Sequence, residues 1–160
     1  MSEAILGLGT NMGNRPENIK NAIKAVSLLP NTEFTAVSHF YETPPFMVPD
    51  TDQENYINAC IKIFTKLPPH ILLGACLGIE CGLGRERKYK NGPRIIDIDL
   101  LLYDNVCCSD DNLILPHPMI KKRNFVMVPL GDICIDLRFG NFDFSKEYKS
   151  MDISSVLKIN

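Results

Sequence analysis

Asp97 and Asp99 stand one residue apart inside an apolar run, Ile95-Ile96-Asp97-Ile98-Asp99-Leu100. On a strand, residues two apart project to one face, roughly 7 Å apart at Cα. Ile96, Ile98 and Leu100 then take the opposite, buried face. Two carboxylates held side by side repel unless a cation or an arginine compensates them. Hard oxygen donors suit Mg²⁺, which takes one or two carboxylates and completes its shell with substrate phosphates. Two exposed acids on a strand edge give the same pattern. Arg94, placed on the same strand, shifts the weight toward a site, because a guanidinium can meet either the acids or a phosphate.

No Walker A loop is present, and Gly7-Leu8-Gly9 has its third glycine at Gly13, one residue late for a dinucleotide turn. These glycines read as turn formers, so a nucleotide would be held by metals and by side chains such as Arg85 and Arg94. A second group joins Thr43-Pro44-Pro45-Phe46 to Tyr56-Ile57-Asn58. Prolines fix a loop, an Asn offers both donor and acceptor, and Tyr56 or Phe46 could stack on a flat heterocycle. A third is Pro116-His117-Pro118, followed by Lys121, Lys122, Arg123 and Phe125, where His117 and Arg123 could contact phosphates. Taken singly, the last two groups also describe ordinary turn and core residues.

The 160 residues fit one domain, spanning 1–160. Hydrophobic residues at 45% and charged residues at 22% are ordinary for a globular protein. The net charge of -2 excludes a general polyanion binder, yet Arg85 to Arg94 holds five basic residues and one acid. Six cysteines form no C-x-x-C pair and have no histidine at zinc-finger spacing, so reduced, mostly buried thiols are expected. The start, MSEAILGLG, has no secretory pattern and no apolar run reaches membrane-span length. A cytoplasmic protein without a membrane or nucleic-acid partner is expected.

The elements that must position these residues follow from periodicity. Ala4–Leu8 is a strand candidate, and a helix starts near Pro16 with Ile19, Ala22, Ile23, Val26 and Leu29 on one face. Thr32–Tyr41 reads as one long strand and Tyr56–Phe64 as another. Pro68-Pro69 opens a second helix with Leu72, Ala75, Cys76 and Ile79 buried. Arg94–Tyr103 is a strand, Leu113–Leu115 a short one, and a short helix runs through Phe125 to Leu130. The last twenty residues are weakly patterned, with at most a short terminal helix. The order βαββαβ predicts an α+β, ferredoxin-like fold: a mostly antiparallel sheet with helices on one face and two long loops, 44–53 and 85–93.

The blocks LGLGTNMGNRPENI, SHFYETPPF, NYINAC, IECGLGRERKYKNGPRIIDIDLLLYDN and LPHPMIKKRNFVMVPL, over about residues 5 to 130, resemble the 6-hydroxymethyl-7,8-dihydropterin pyrophosphokinase family. The resemblance implies an ATP-dependent enzyme of tetrahydrofolate biosynthesis that moves pyrophosphate onto a pterin hydroxymethyl group and releases AMP. It implies two Mg²⁺ ions on Asp97 and Asp99, and ATP phosphates on Arg85 and Arg94. Thr43, Pro45, Tyr56, Asn58 and Phe125 match a pterin pocket, with Tyr56 and Phe125 on either side of the ring; Phe46 adds a stacking candidate. Glu80, His117 and Arg123 match residues around the nucleotide, and Leu100, Ile114 and Leu115 an adenine pocket. A tryptophan common in the family's second loop is missing, with Asn91 nearest its place. The expected assembly is a monomer, or a part of a longer folate-pathway polypeptide. The alternatives are another Mg-dependent nucleotidyl or phosphoryl transferase and a ferredoxin-like RNA-binding module.

Overall fold

The computed structural model describes residues 1–46, 53–86 and 92–159. Most of both expected loops, with Asn91, lies outside the described residues. Strand β1 (Ser2–Thr10) leads into helix α1 (Arg15–Ser27), whose start is capped by the Asn14 side chain accepting from the Glu17 N–H. Strands β2 (Thr32–Val37), β3 (Phe40–Thr43) and β4 (Tyr56–Thr65) follow. Helix α2 (Pro69–Gly82) places proline in its first turn, where no N–H is needed, and β5 (Asp97–Tyr103) comes next. The remaining elements are β6 (Cys108–Ser109), β7 (Ile114–Leu115), α3 (Asn124–Ile133), β8 (Arg138–Phe139), β9 (Phe142–Asp143), α4 (Ser145–Lys149) and β10 (Leu157–Ile159).

The main sheet is antiparallel in the order β10-β3-β4-β1-β5, with β2 also paired to β4. Alternation divides its side chains between two cores. Ala4, Leu6, Leu8, Ile57, Ala59, Ile61, Ile63, Ile98 and Leu100 face α1 and α2, meeting Ile19, Ala22, Val26, Leu72 and Cys76. On the other face Ile5, Cys60, Leu101 and Leu102 meet Val126, Met127, Leu130 and Cys134 of α3 and its C-terminal end. The expectation of helices on one face is therefore corrected: α3 covers part of the second. Leu101 and Leu102 share that second core because the β1–β5 register shifts between Ile5 and Leu6, which interrupts strict alternation.

Three element boundaries also differ from periodicity. Thr32–Tyr41 is two strands, not one. At the break the His39 N–H donates to Asp132 Oδ2 on α3 (2.9 Å) instead of to the sheet. The Ser38 N–H donates to Cys60 O, and the Ser38 hydroxyl oxygen accepts the Cys60 N–H. Arg94 precedes β5 rather than lying on it. The last twenty residues carry the short helix allowed for, α4, and also β10, which adds to the edge of β3 and was not expected. A three-residue, largely exposed edge strand has too little apolar alternation to be read from sequence. Among the described residues no helix is long and apolar enough to cross a membrane.

Candidate active site

The sheet face left open beside α3 carries a cavity. Its walls include Gly7, Gly9, Thr43, Phe46, Tyr56, Asn58, Arg94, Asp97, Asp99, Arg123 and Phe125. Strand parity explains the set. Tyr56 and Asn58 on β4, and Asp97 and Asp99 on β5, point away from the α1–α2 core because their neighbours Ile57, Ala59, Ile98 and Leu100 point into it. Gly7 and Gly9 lie between them on β1, where Gly9 pairs with both Asn58 and Asp97. They lie within a strand rather than in a turn, and they form the floor. A Cβ on Gly9 would stand 3.2 Å from Asn58 Oδ1, and one on Gly7 3.1 Å from Leu101 Cδ1.

At one end lies an ion-pair cluster. Arg94 Nη1 meets Asp97 Oδ2 at 2.8 Å, and Arg85 Nη1 meets Asp97 Oδ1 at 2.6 Å. Arg85 also pairs with Glu80 on α2. Arg123 Nη1 stands 3.5 Å from Asp99 Oδ2, at the limit of contact. Three carboxylates and three guanidiniums thus balance. Asp99 has the weakest partner: burial, then the charge of Asp97, push its carboxyl up despite Arg123. Arg123 Nε is buried with no hydrogen-bond partner.

Glu80 sits outside the cavity wall. It is 3% exposed, and its Oε1 accepts the Ile98 N–H at 2.7 Å while its other oxygen holds Arg85. Burial, opposed by that backbone hydrogen bond, raises its pKa. The residue expected beside a nucleotide is thus a bracket between α2, Arg85 and the start of β5. His117 is partly buried and its Nδ1 accepts the Met119 N–H at 3.2 Å. Burial and then Arg123 lower its pKa, which favours the neutral ring. Leu100 and Leu115 are buried in the α1–α2 core and Ile114 is exposed, so none of the three lines the cavity.

At the other end the walls are aromatic and amide. Asn58 Nδ2 donates to Thr43 Oγ1 at 2.8 Å, both residues being buried. Phe125 meets Phe46 edge-on, with centroids 5.6 Å apart and 63° between planes, and the Arg123 guanidinium lies 5.6 Å from the Phe125 ring centre. Tyr56 is hydrogen-bonded to Arg94, and burial raises its pKa. Pro44 lines the cavity where Pro45 was expected. Sequence reasoning passed over Cys60, Leu101, Val126 and the two floor glycines. The pairing of β1 with both β4 and β5 is the signal that would have found the glycines.

The family model for 7,8-dihydro-6-hydroxymethylpterin-pyrophosphokinase (HPPK) matches residues 5–135. This chain belongs to the HPPK family. A 2-amino-4-hydroxy-6-hydroxymethyldihydropteridine pyrophosphokinase from Methylorubrum extorquens is 40% identical over 99% of each chain. A mitochondrial folate synthesis bifunctional protein of Arabidopsis thaliana is 38% identical over 82% of this chain and 23% of its own length. The fold is shared with the crystal structure of Plasmodium falciparum HPPK-DHPS wild type with SDX-DHP, at TM-score 0.69 and 16% identity. The match covers 99% of this chain but 47% of that one. HPPK membership accounts for the aromatic-and-carboxylate cavity better than either alternative does: α3 occupies part of the sheet face that an RNA-binding module would leave open.

The two carboxylates fit Mg²⁺. Among the described residues no three His, Cys, Asp or Glu side chains gather as a metal cage. A pair of carboxylates facing a cavity is the protein share of a Mg²⁺ shell that phosphates and water complete. Exposed Cys81 and Cys107, and half-buried Cys108, qualify the expectation of mostly buried thiols; Cys60, Cys76 and Cys134 are buried, and all six are free.

Proposed function

We propose that this chain transfers the β,γ-pyrophosphoryl group of ATP to the hydroxymethyl oxygen of 6-hydroxymethyl-7,8-dihydropterin in folate biosynthesis. One observation carries the reading. A single cavity joins the Tyr56–Asn58–Phe125 end, shaped for a flat polar ring, to Asp97, Asp99, Arg94 and Arg123, suited to a metal-bound triphosphate. In the reaction the substrate oxygen forms a bond to the β-phosphorus, and the bond from that phosphorus to the α–β bridging oxygen breaks. AMP leaves, and the hydroxyl proton passes to solvent.

Asp97 and Asp99 would hold two Mg²⁺ ions, which supply charge neutralisation across the triphosphate when bound. Arg85 and Arg94 hold Asp97; triphosphate oxygens offer them a second set of acceptors. Arg123 Nε has its hydrogen bond still to make, which suits a phosphate oxygen. Asn58 and Thr43 read the edge of the pterin, while Tyr56 and Phe125, with Phe46, flank its faces. Positioning and fixed charge supply the acceleration, and no side chain is needed as a strong base. Glu80 and His117 contribute through Arg85 and through the loop after β7. Leu100 and Leu115 pack in the core behind the cavity, and the adenine pocket would draw on them and on exposed Ile114.

The sheet order supports a ferredoxin-like βαββαβ reading, with β2 and β3 together filling the second strand position. The match to the Methylorubrum extorquens relative over 99% of each chain supports a single domain, and a cytoplasmic location is part of the proposal. Incubation with ATP, Mg²⁺ and the hydroxymethyl-dihydropterin should yield AMP and the pterin pyrophosphate in equal amounts. Formation of ADP, or no product, would reject the reading.

A further inference from the structure

Asn11 is a buried amide that the reaction outlined above leaves without a task. It is 2% exposed and lies one residue beyond β1. Its backbone N–H donates to Arg94 O at 3.1 Å, and its Oδ1 accepts the Arg94 N–H at 2.8 Å. Its Nδ2 donates to Glu54 O at 3.2 Å and to Gln53 Oε1 at 3.3 Å. One side chain therefore bridges two segments far apart in sequence. Gln53 and Glu54 lead into β4, which carries Tyr56 and Asn58. Arg94 leads into β5, and its guanidinium reaches Asp97.

The chemistry of the bridge is specific to a carboxamide. It needs an acceptor on one side and a donor on the other, on a short stem. An aspartate keeps the acceptor but sets a carboxylate against the Glu54 carbonyl. An alanine keeps neither and leaves the Arg94 N–H without its partner. Ending β1 requires neither bond. Because Arg94 lies outside the β5 ladder, this reciprocal pair with Asn11 does for its backbone what sheet pairing does for Asp97.

We infer that Asn11 is a positioning residue that holds Arg94, at the phosphate end of the cavity, in register with the Tyr56–Asn58 end. The inference rests on the function proposed above. Arg15 makes a useful contrast. Its Nη1 donates to Asn55 O at 2.7 Å and to Glu42 Oε1 at 2.8 Å, so it braces the same approach to β4 without touching Arg94.

The test combines steady-state kinetics with amide hydrogen exchange at Arg94 in the full chain. Asn11→Ala should lower kcat on the order of 30- to 100-fold at saturating substrates, as displacement of a positioned group does, and speed exchange of the Arg94 amide. Asn11→Asp should raise the KM for the pterin and lower kcat less, with the Arg94 amide still protected. Arg15→Ala should leave that amide protected. In an Arg94→Ala background, Asn11→Ala should reduce kcat little further, because its effect runs through Arg94. If Asn11→Ala does not fold, Asn11→Asp carries the decision: a raised pterin KM with a protected amide supports the inference, and an unchanged KM overturns it. Full kcat in Asn11→Ala with only a lowered melting temperature, or independent multiplication of the two losses, overturns it as well. A wild-type chain that forms no AMP overturns the functional reading first and is separated by that control.

Discussion

Arg94 Nη1 and Asp97 Oδ2 meet at 2.8 Å at the entry to β5, so the arginine proposed to meet phosphate also holds a metal-binding candidate. Arg85 takes the other oxygen of the same carboxylate. Asp97 is thus compensated twice while Asp99 has one distant partner. The two acids, equivalent by spacing, are unequal in the folded protein.

That inequality separates two variants. Asp99→Asn should remove nearly all pyrophosphoryl transfer, by about 10²-fold or more, as loss of a charge-stabilising group does. It should also raise the melting temperature of the metal-free protein, since it removes a poorly compensated like charge. Asp97→Asn should match it in activity but lower the melting temperature, leaving Arg85 and Arg94 less compensated. Calorimetry without Mg²⁺ and AMP assays with it check both; wild-type turnover in either variant rejects the metal role.

Glu80 provides the sharpest stability effect. Its pair with Arg85 is nearly buried, and breaking such a pair from one side costs about 3–5 kcal/mol. Glu80→Ala should lose that much in urea unfolding, together with turnover, since Arg85 and the start of β5 both lose their bracket. Glu80→Gln keeps an acceptor for the Ile98 N–H and should lose less. Equal losses in the two variants would show that the charge, rather than the backbone bond, is what matters.

The amide end of the cavity should respond separately from the ionic end. Gly9→Ala brings a methyl to 3.2 Å from Asn58 Oδ1, so Asn58 must move. Thr43→Val removes the acceptor of a buried Asn58 amide, a loss of about 1–3 kcal/mol. Both should weaken pterin binding in titration calorimetry while leaving ATP binding near that of the wild type. Equal weakening of both ligands would place the pterin elsewhere.

The Tyr41 hydroxyl donates to Asp132 at 2.9 Å, and burial and then Asp132 push its pKa up to about 12, from 10 in the unfolded chain. The folded state then keeps a proton that the unfolded state releases, so stability is present below pH 10 and is lost as pH rises toward 12. Buried Cys60, Cys76 and Cys134 act in the same direction. Tyr41→Phe should flatten part of that alkaline decline in denaturant titrations between pH 9 and 11.5. An identical slope in the variant would assign the decline to the thiols.

Sequence alone determined which residues share the site-facing side of β4 and β5. Side-chain parity is a two-residue property, so Asp97 and Asp99 could be paired, and Tyr56 with Asn58, before any fold was known. The G-P-R-x-x-D-x-D segment and the blocks around it carried the family. Only the tertiary structure decided that Arg94 lies off the strand under Asn11, that Glu80 is buried behind Asp97, and that Gly7 and Gly9 form a floor. It also decided that α3 shares the cavity's face of the sheet and that Leu115 packs into the opposite core. Each of these depends on contacts between segments tens of residues apart, or on a register shift that breaks local alternation. Periodicity records neither: it gives the direction a side chain takes from its own strand, and the partner it meets is set by the packing of the whole chain.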